Sequence, residues 1–170
     1  MADPIQMALE FLQDLSHDPV LYSIVFFVYS VLAATVLPIP VEVGLFFSPE
    51  TPVWVKALTL GAGKAVGAVL VFELGGALEN PLDKFAQRFR FFRKFMELMR
   101  RFVAWAKYVG LYILLSIPLM VDTLPIYLFA LFNKKGTLKL KWFALANFLG
   151  GITRAGVVYL IFYAFGLQLV

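Results

Sequence analysis

Residues 20–37 run for 18 positions without a charge, and the run ends at Pro38 and Pro40 with Glu42 two residues on. As a helix it would reach about 27 Å at 1.5 Å per residue, just short of a bilayer core of roughly 30 Å. Few folds accept a near-membrane-length helix that is broken before any polar loop and followed at once by a carboxylate. Each backbone group freed by the break needs a partner, and hydrocarbon supplies none. The segment is therefore either a span or one arm of a hairpin.

The pattern returns at 109–132, VGLYILLSIPLMVDTLPIYLFALF, where Pro118, Asp122 and Pro125 interrupt a second apolar stretch. Basic sequence lies on both sides of it. Eight Lys and Arg residues fall between Lys84 and Lys107, and Lys134, Lys135, Lys139 and Lys141 follow. Because Lys and Arg in short loops set orientation, one crossing would put one of these loops on the wrong side. The second stretch is expected to enter from the cytoplasm, turn near Asp122 and return. Residues 79–108 and 133–141 are then cytoplasmic, in a cell membrane.

Composition supports a bilayer: 61% of residues are hydrophobic and 15% charged, with a mean hydropathy of +0.83. Soluble domains carry roughly 45–50% apolar and about 25% charged residues. With no cysteine and a single histidine, His17, thiol chemistry, disulfides, zinc sites and hydrolytic triads are disfavoured. No enzyme activity, metal or cofactor is expected. The residues before Val20 include Asp3, Glu10, Asp14 and Asp18 but no Lys or Arg, so the first apolar run lacks the basic flank of a cleaved signal. It is expected to be kept in the mature protein.

Along the chain, Ile5, Ala8, Leu9, Leu12 and Leu15 share a helical face, which predicts a short interfacial helix within 1–19. Val53–Leu78 is free of proline and long enough to cross with tilt. Its centre, GAGKAVGA, matches neither the dinucleotide fingerprint nor a P-loop; its small residues let another helix approach closely. From Pro81 to Lys107, charges at Arg90, Arg93, Lys94, Glu97, Arg100 and Arg101 alternate at helical spacing with Phe85, Phe89, Phe92, Met96, Met99 and Val103. An in-plane amphipathic helix facing anionic lipid is expected, and nucleic acid is not. Trp142–Phe165 crosses outward with Asn147 and Arg154 inside it.

A repeat underlies this order. Leu-Pro-Ile recurs at 37–39 and 124–126, and Lys64-Ala65 is matched by Arg154-Ala155 ninety residues later. The fold class expected is an all-α integral membrane protein: an inverted repeat of a re-entrant hairpin plus a transmembrane helix. Residues 20–78 and 109–170 form the halves, with the amphipathic helix of 79–108 between them. Paired, proline-interrupted segments in two halves point to a transport site near the bilayer midplane.

Glu42, Lys64, Glu73, Asp122 and Arg154 all lie in apolar sequence. Each would cost at least about 2.5–3.5 kcal/mol at the bilayer centre, so they must be paired, hydrated or protonated. One reading makes them structural pairs, Glu42 with Arg154 and Asp122 with Lys64. The other makes Glu42 and Asp122 proton-exchanging carboxylates, with Lys64 and Arg154 as head-group contacts. In that reading Pro38, Pro40, Pro118 and Pro125 break the hairpins, and Asn147 and Glu73 are candidates for polar lining.

Pro38-Ile39-Pro40-Val41-Glu42 resembles the hairpin signature of the DedA family, also called the VTT or SNARE-associated Golgi protein superfamily. Gly61 to Gly76 is similar to that family's glycine-rich helix, and Ile117-Pro118 to Thr123 occupies the place of its second hairpin. The resemblance covers roughly residues 20–166 and implies a distant member that moves a lipid or lipid phosphate between leaflets, with proton coupling in some relatives. The chain departs from the family pattern at Gly76, where an arginine is usual, and around Pro118, where the flanking arginines are missing; Lys64 and Arg154 would have to serve instead. A small ion or drug exporter, and a non-transporting membrane-shaping scaffold, are the alternative functions. The thin wall of two spans and two hairpins suggests a homo-oligomer.

Overall fold

The computed structural model describes residues 18–37, 40–88, 90–133 and 138–165, and the backbone alone at 76–88, 90–93, 95 and 96. The interfacial helix expected within 1–19 and the break at Pro38 lie outside the described residues. Five α-helices and a short 3-10 segment make up the described chain, with no strand among them. They are α1 (Pro19–Thr35), the 3-10 segment Val41–Phe46, α2 (Val53–Arg88), α3 (Arg90–Ser116), α4 (Thr123–Leu131) and α5 (Leu140–Ala164). Two stretches, Val53–Gly75 of α2 and Leu140–Ala164 of α5, are long and apolar enough to cross a membrane.

Local chemistry sets the helix ends. Asp18 caps α1, its carboxylate accepting from Val20 N at 2.9 Å and Leu21 N at 3.3 Å, and Pro19 takes the first helical position, where no N–H is needed. At the far end, the N–H groups of Val36 and Leu37 both return to Leu32 O. Asn133 closes the connection between α4 and α5: its Nδ2 donates to Leu138 O at 3.0 Å and its Oδ1 accepts from Leu138 N at 2.7 Å.

Two sequence expectations change here. The helix boundary expected between Leu78 and Pro81 is absent, because α2, which starts at Val53, continues through Pro81 to Arg88. A proline removes one donor and bends a helix without having to end it. The second change is at Lys107, which joins the amphipathic stretch to the next apolar stretch through a kink, φ 45° and ψ −142°, inside α3. At the C-terminal end of that amphipathic stretch, described apolar side chains are covered by protein. Val103 and Ala106 are buried with Ile126, Phe129 and Leu138, and Phe102 meets Phe129 edge-on with ring centroids 6.0 Å apart.

Glycine contacts give the helix directions. A side chain at Gly63 would meet Ser30 and Phe27 O, and one at Gly67 would meet Ala34 and Val31 O, so α1 and α2 run the same way. The tail of α3 and α5 are likewise parallel: Tyr108 Oη accepts from Lys139 N at 2.7 Å, and Tyr112 Oη pairs with Thr153 Oγ1 at 2.8 Å. Helices α2 and α5 are antiparallel. Phe72 packs on Phe143, Gly61 on Gly151, and Ala57 and Leu60 cluster with Ala155 and Val158.

Large apolar side chains line the outer sides of α1, α2 and α5. Val20, Ile24, Val28 and Leu32 of α1, Leu58, Leu70 and Leu74 of α2, and Leu145, Leu149 and Leu160 of α5 are all exposed. Soluble monomers seldom leave apolar stripes of this extent uncovered.

Candidate functional site

The site is built where the two interrupted stretches meet. Side chains from both neighbouring helices bond carbonyls in and just before the 3-10 segment, of which Pro40 O and Gly44 O also accept from Val43 N and Phe47 N, each at 3.4 Å. Tyr29 Oη donates to Pro40 O at 3.2 Å, Tyr22 Oη donates to Gly44 O, and Lys56 Nζ donates to Leu45 O at 3.1 Å. Pro40 immediately precedes the segment, and Gly44 lies against the Phe26 ring, where a side chain would have no room. These contacts hold Glu42 facing inward, only 2% exposed.

The second stretch arrives as the last turns of α3, which end at Ser116. Residues 117–122 then turn, with Pro118 in the bend, and α4 doubles back so that Phe129 lies beside Gly110. Leu119 sits in this turn with φ 62°, a left-handed conformation that costs a bulky residue roughly 1–2 kcal/mol. Its N–H donates to Glu42 Oε1 at 2.9 Å. Strained backbone at a junction of this kind persists only where its surroundings over-determine it. Leu119→Pro can neither adopt this φ nor donate to Glu42, and it is expected to lower the thermal unfolding midpoint clearly. Leu119→Asn, tolerated in the left-handed region, should leave the midpoint within a few degrees; equal losses in both variants would refute the role of this N–H.

Four charges converge behind the turn. Lys64 and Arg154 are 0% exposed and Asp122 2%. Lys64 Nζ donates to Asp122 Oδ1 at 2.9 Å and, at 3.4 Å, to Leu115 O. Arg154 donates through Nε to Leu115 O at 2.8 Å and through Nη1 to Met120 O at 2.9 Å; Nη1 also lies 3.2 Å from Glu42 Oε1. Its Nη2 approaches Asp122 Oδ1 at 3.0 Å but makes no aligned hydrogen bond. The result is a chain, Glu42–Arg154–Asp122–Lys64, with two positive and two negative charges. Helix ends reinforce it. Leu115 O belongs to the last turn of α3, where carbonyls lack helical partners and attract cations.

Both pairs weighed from the sequence, Glu42 with Arg154 and Asp122 with Lys64, are present in this chain of contacts. Asn147 lies two turns from Arg154 on the same face of α5, fully buried, with Nδ2 donating to Phe143 O at 2.8 Å and Oδ1 unpartnered. Glu42 Oε2 and Asp122 Oδ2 are likewise buried without a partner. Glu73 does not join the group, and its expected lining role is corrected: it is exposed. Nine residues from Lys64, it falls about half a turn away around α2, on the opposite face. Pro125 is corrected too. It sits buried in the first turn of α4, where helices accept proline, and the break is made by residues 117–122. Among the described residues no cluster of His, Asp and Glu suits a metal ion.

Sequence reasoning missed Leu119, Leu115, Met120 and Lys56. The first three act through backbone groups, which side-chain identity does not reveal. Lys56 carries no sequence signal of its own, yet it is 4% exposed and its Nζ lies 5.9 Å from the Tyr22 ring centroid. Comparison with protein-family models, curated proteins and solved structures returned no match.

Proposed function

We propose that this chain is a membrane carrier, a distant relative of the DedA family, that moves a lipid or lipid phosphate between leaflets. Two re-entrant hairpins in opposed halves, each paired with one span, form the inverted repeat. The supporting directions are α1 parallel to α2, the tail of α3 parallel to α5, and α2 antiparallel to α5. Helices α2 and α5 meet in close contact at Gly61 and Gly151, ninety residues apart. Lys64 and Arg154 share that spacing, so equivalent residues meet, as a pseudo-two-fold axis requires.

One observation carries the reading: the two broken segments touch through Glu42, Leu119 N and Arg154, inside apolar helices. Lys64 stands 11 residues into α2 and Arg154 14 residues into α5, which at 1.5 Å per residue is about 16 Å and about 21 Å from their starts. This is mid-depth for a bilayer, where interrupted backbone and paired charges mark transport sites. Parting the hairpins would free Lys64 and Arg154 for a phosphate while Glu42 and Asp122 take up protons. The exposed apolar stripes of α1 and α5 would face lipid or a second copy in a homo-oligomer.

The test is Glu42→Gln in reconstituted vesicles carrying an acyl-labelled phospholipid. Glutamine keeps an oxygen for Leu119 N and Arg154 but cannot exchange a proton. Lipid flipping per folded protein is expected to fall at least about tenfold, equivalent to roughly 1.4 kcal/mol on the barrier. Unchanged flipping would sink the role of Glu42. Glu42-dependent movement of a labelled small cation, with no lipid movement, would point to an exporter instead.

A further inference from the structure

Val103 and Ala106 of α3 are spent inside the protein, and a different face of that helix is turned outward. Lys94, Leu98, Arg101 and Trp105 recur at spacings of four, three and four, which places them on one stripe of a helix. All four are exposed, Leu98 to 60% and Trp105 to 83%. Long cations alternating with large apolar groups suit neither bulk water nor hydrocarbon. They suit the boundary, where lysine and arginine stems lie along acyl chains with their charges at phosphate level and an indole sits between the two.

The stripe is part of a wider rim. The Tyr108–Lys139 hydrogen bond ties the Lys107 kink to the start of α5. It thereby brings Lys107, Lys139, Lys141 and Trp142 to the same end of the molecule as Trp105. All five are exposed, and Lys141 Nζ lies over the Trp142 ring, 5.6 Å from its centroid. On α3 from residue 97 and on the first turn of α5, the described acidic side chain is Glu97, against the cations Arg100, Arg101, Lys107 and Lys141.

We infer that this rim docks on anionic phospholipid head groups, with Trp105 and Leu98 seated at the acyl boundary and Lys94, Arg101 and Lys107 on phosphates. Charge complementarity selects the lipid: a head group with a phosphate diester and no compensating amine leaves its charge to these cations. A basic and aromatic rim carried by two separate helices at one end matches a planar surface rather than a pocket. The inference requires that the chain lie in a bilayer and is independent of whether it carries lipid.

The test uses the full chain with Trp54→Phe and Trp142→Phe, leaving Trp105 as the fluorophore. Vesicles contain zwitterionic phosphatidylcholine and phosphatidylglycerol in fixed proportion, with bromine on the acyl chains of one or the other at equal mole fraction. Brominated phosphatidylglycerol is expected to quench Trp105 about twice as strongly as brominated zwitterionic lipid, the excess disappearing in high salt and in Lys94→Gln/Arg101→Gln/Lys107→Gln. Equal quenching by both lipids would overturn the preference for anionic head groups. An emission maximum of water-exposed indole with no quenching would overturn the docking altogether and assign this face to solution or a protein partner. Because the salt arm needs no charge substitution, a folding defect in the triple variant leaves the outcome readable.

Discussion

Arg154→Ala is expected to destabilise the protein by about 3–5 kcal/mol, the usual cost of breaking a buried ion pair from one side. Arg154 serves two carboxylates and two backbone carbonyls at once. Its guanidinium lies 3.2 Å from Glu42 and 3.0 Å from Asp122, and bonds Leu115 O and Met120 O at 2.8 and 2.9 Å. Truncation leaves the site with one net negative charge and leaves Met120 O without this donor. The double variant Arg154→Met/Glu42→Gln removes one charge of each sign and keeps Asp122 with Lys64. It should recover more than half of the loss, since a balanced apolar replacement of a buried pair is often neutral. Thermal and denaturant unfolding of the detergent-solubilised protein reads both. A double variant no more stable than Arg154→Ala would contradict the pairing as the source of the cost.

Gly151→Leu should be comparably damaging for a steric reason. A Cβ at this position would lie 2.9 Å from Gly61 Cα, 3.2 Å from Gly61 N and 3.1 Å from Lys64 Cδ. Two of these are backbone atoms of the facing helix, so α2 and α5 must separate, and Lys64 moves away from Asp122 as they do. Overpacking alone costs about 1–3 kcal/mol, and the rest of a large side chain pushes beyond that. Gly156 supplies the control on the same helix. A Cβ there meets nothing within 4 Å, and Gly156→Ala should be neutral or gain up to about 1 kcal/mol through helix propensity. The expected readout is a large fall in unfolding midpoint for Gly151→Leu and none for Gly156→Ala. A fall in both would mean that glycine itself, rather than the crossing, matters to α5.

Much of this site was legible in the chain. A charge inside apolar sequence is conspicuous because its insertion cost is fixed by residue type, so Glu42, Lys64, Asp122 and Arg154 could be singled out with no knowledge of their neighbours. Glu73 failed the same reasoning because apolar surroundings in sequence do not say which side of the helix a residue takes. The 3.6-residue period would have separated it from Lys64. The amphipathic stretch was recognisable as a helix, but its pattern did not say what would cover Val103. Periodicity identifies a face that must be covered and is silent on what covers it. Here Phe129, Ile126 and Leu138 do. Pro125 was read as a break for a related reason, since proline ends a helix from within and starts one equally well.

Residue chemistry alone determined that the described chain is helical, that two of its segments have the length and hydropathy to cross a membrane, and that its embedded charges required partners. These properties follow from short-range terms: transfer free energy, hydrogen-bond satisfaction and the repeat of apolar positions. Only the tertiary structure decided that Glu42 meets the strained N–H of Leu119, that Arg154 bridges both carboxylates, and that the outer stripe of α3 ends in Trp105. Those contacts depend on where α2 and α5 cross, which is set by two glycines ninety residues apart, and no local pattern encodes a distance between them.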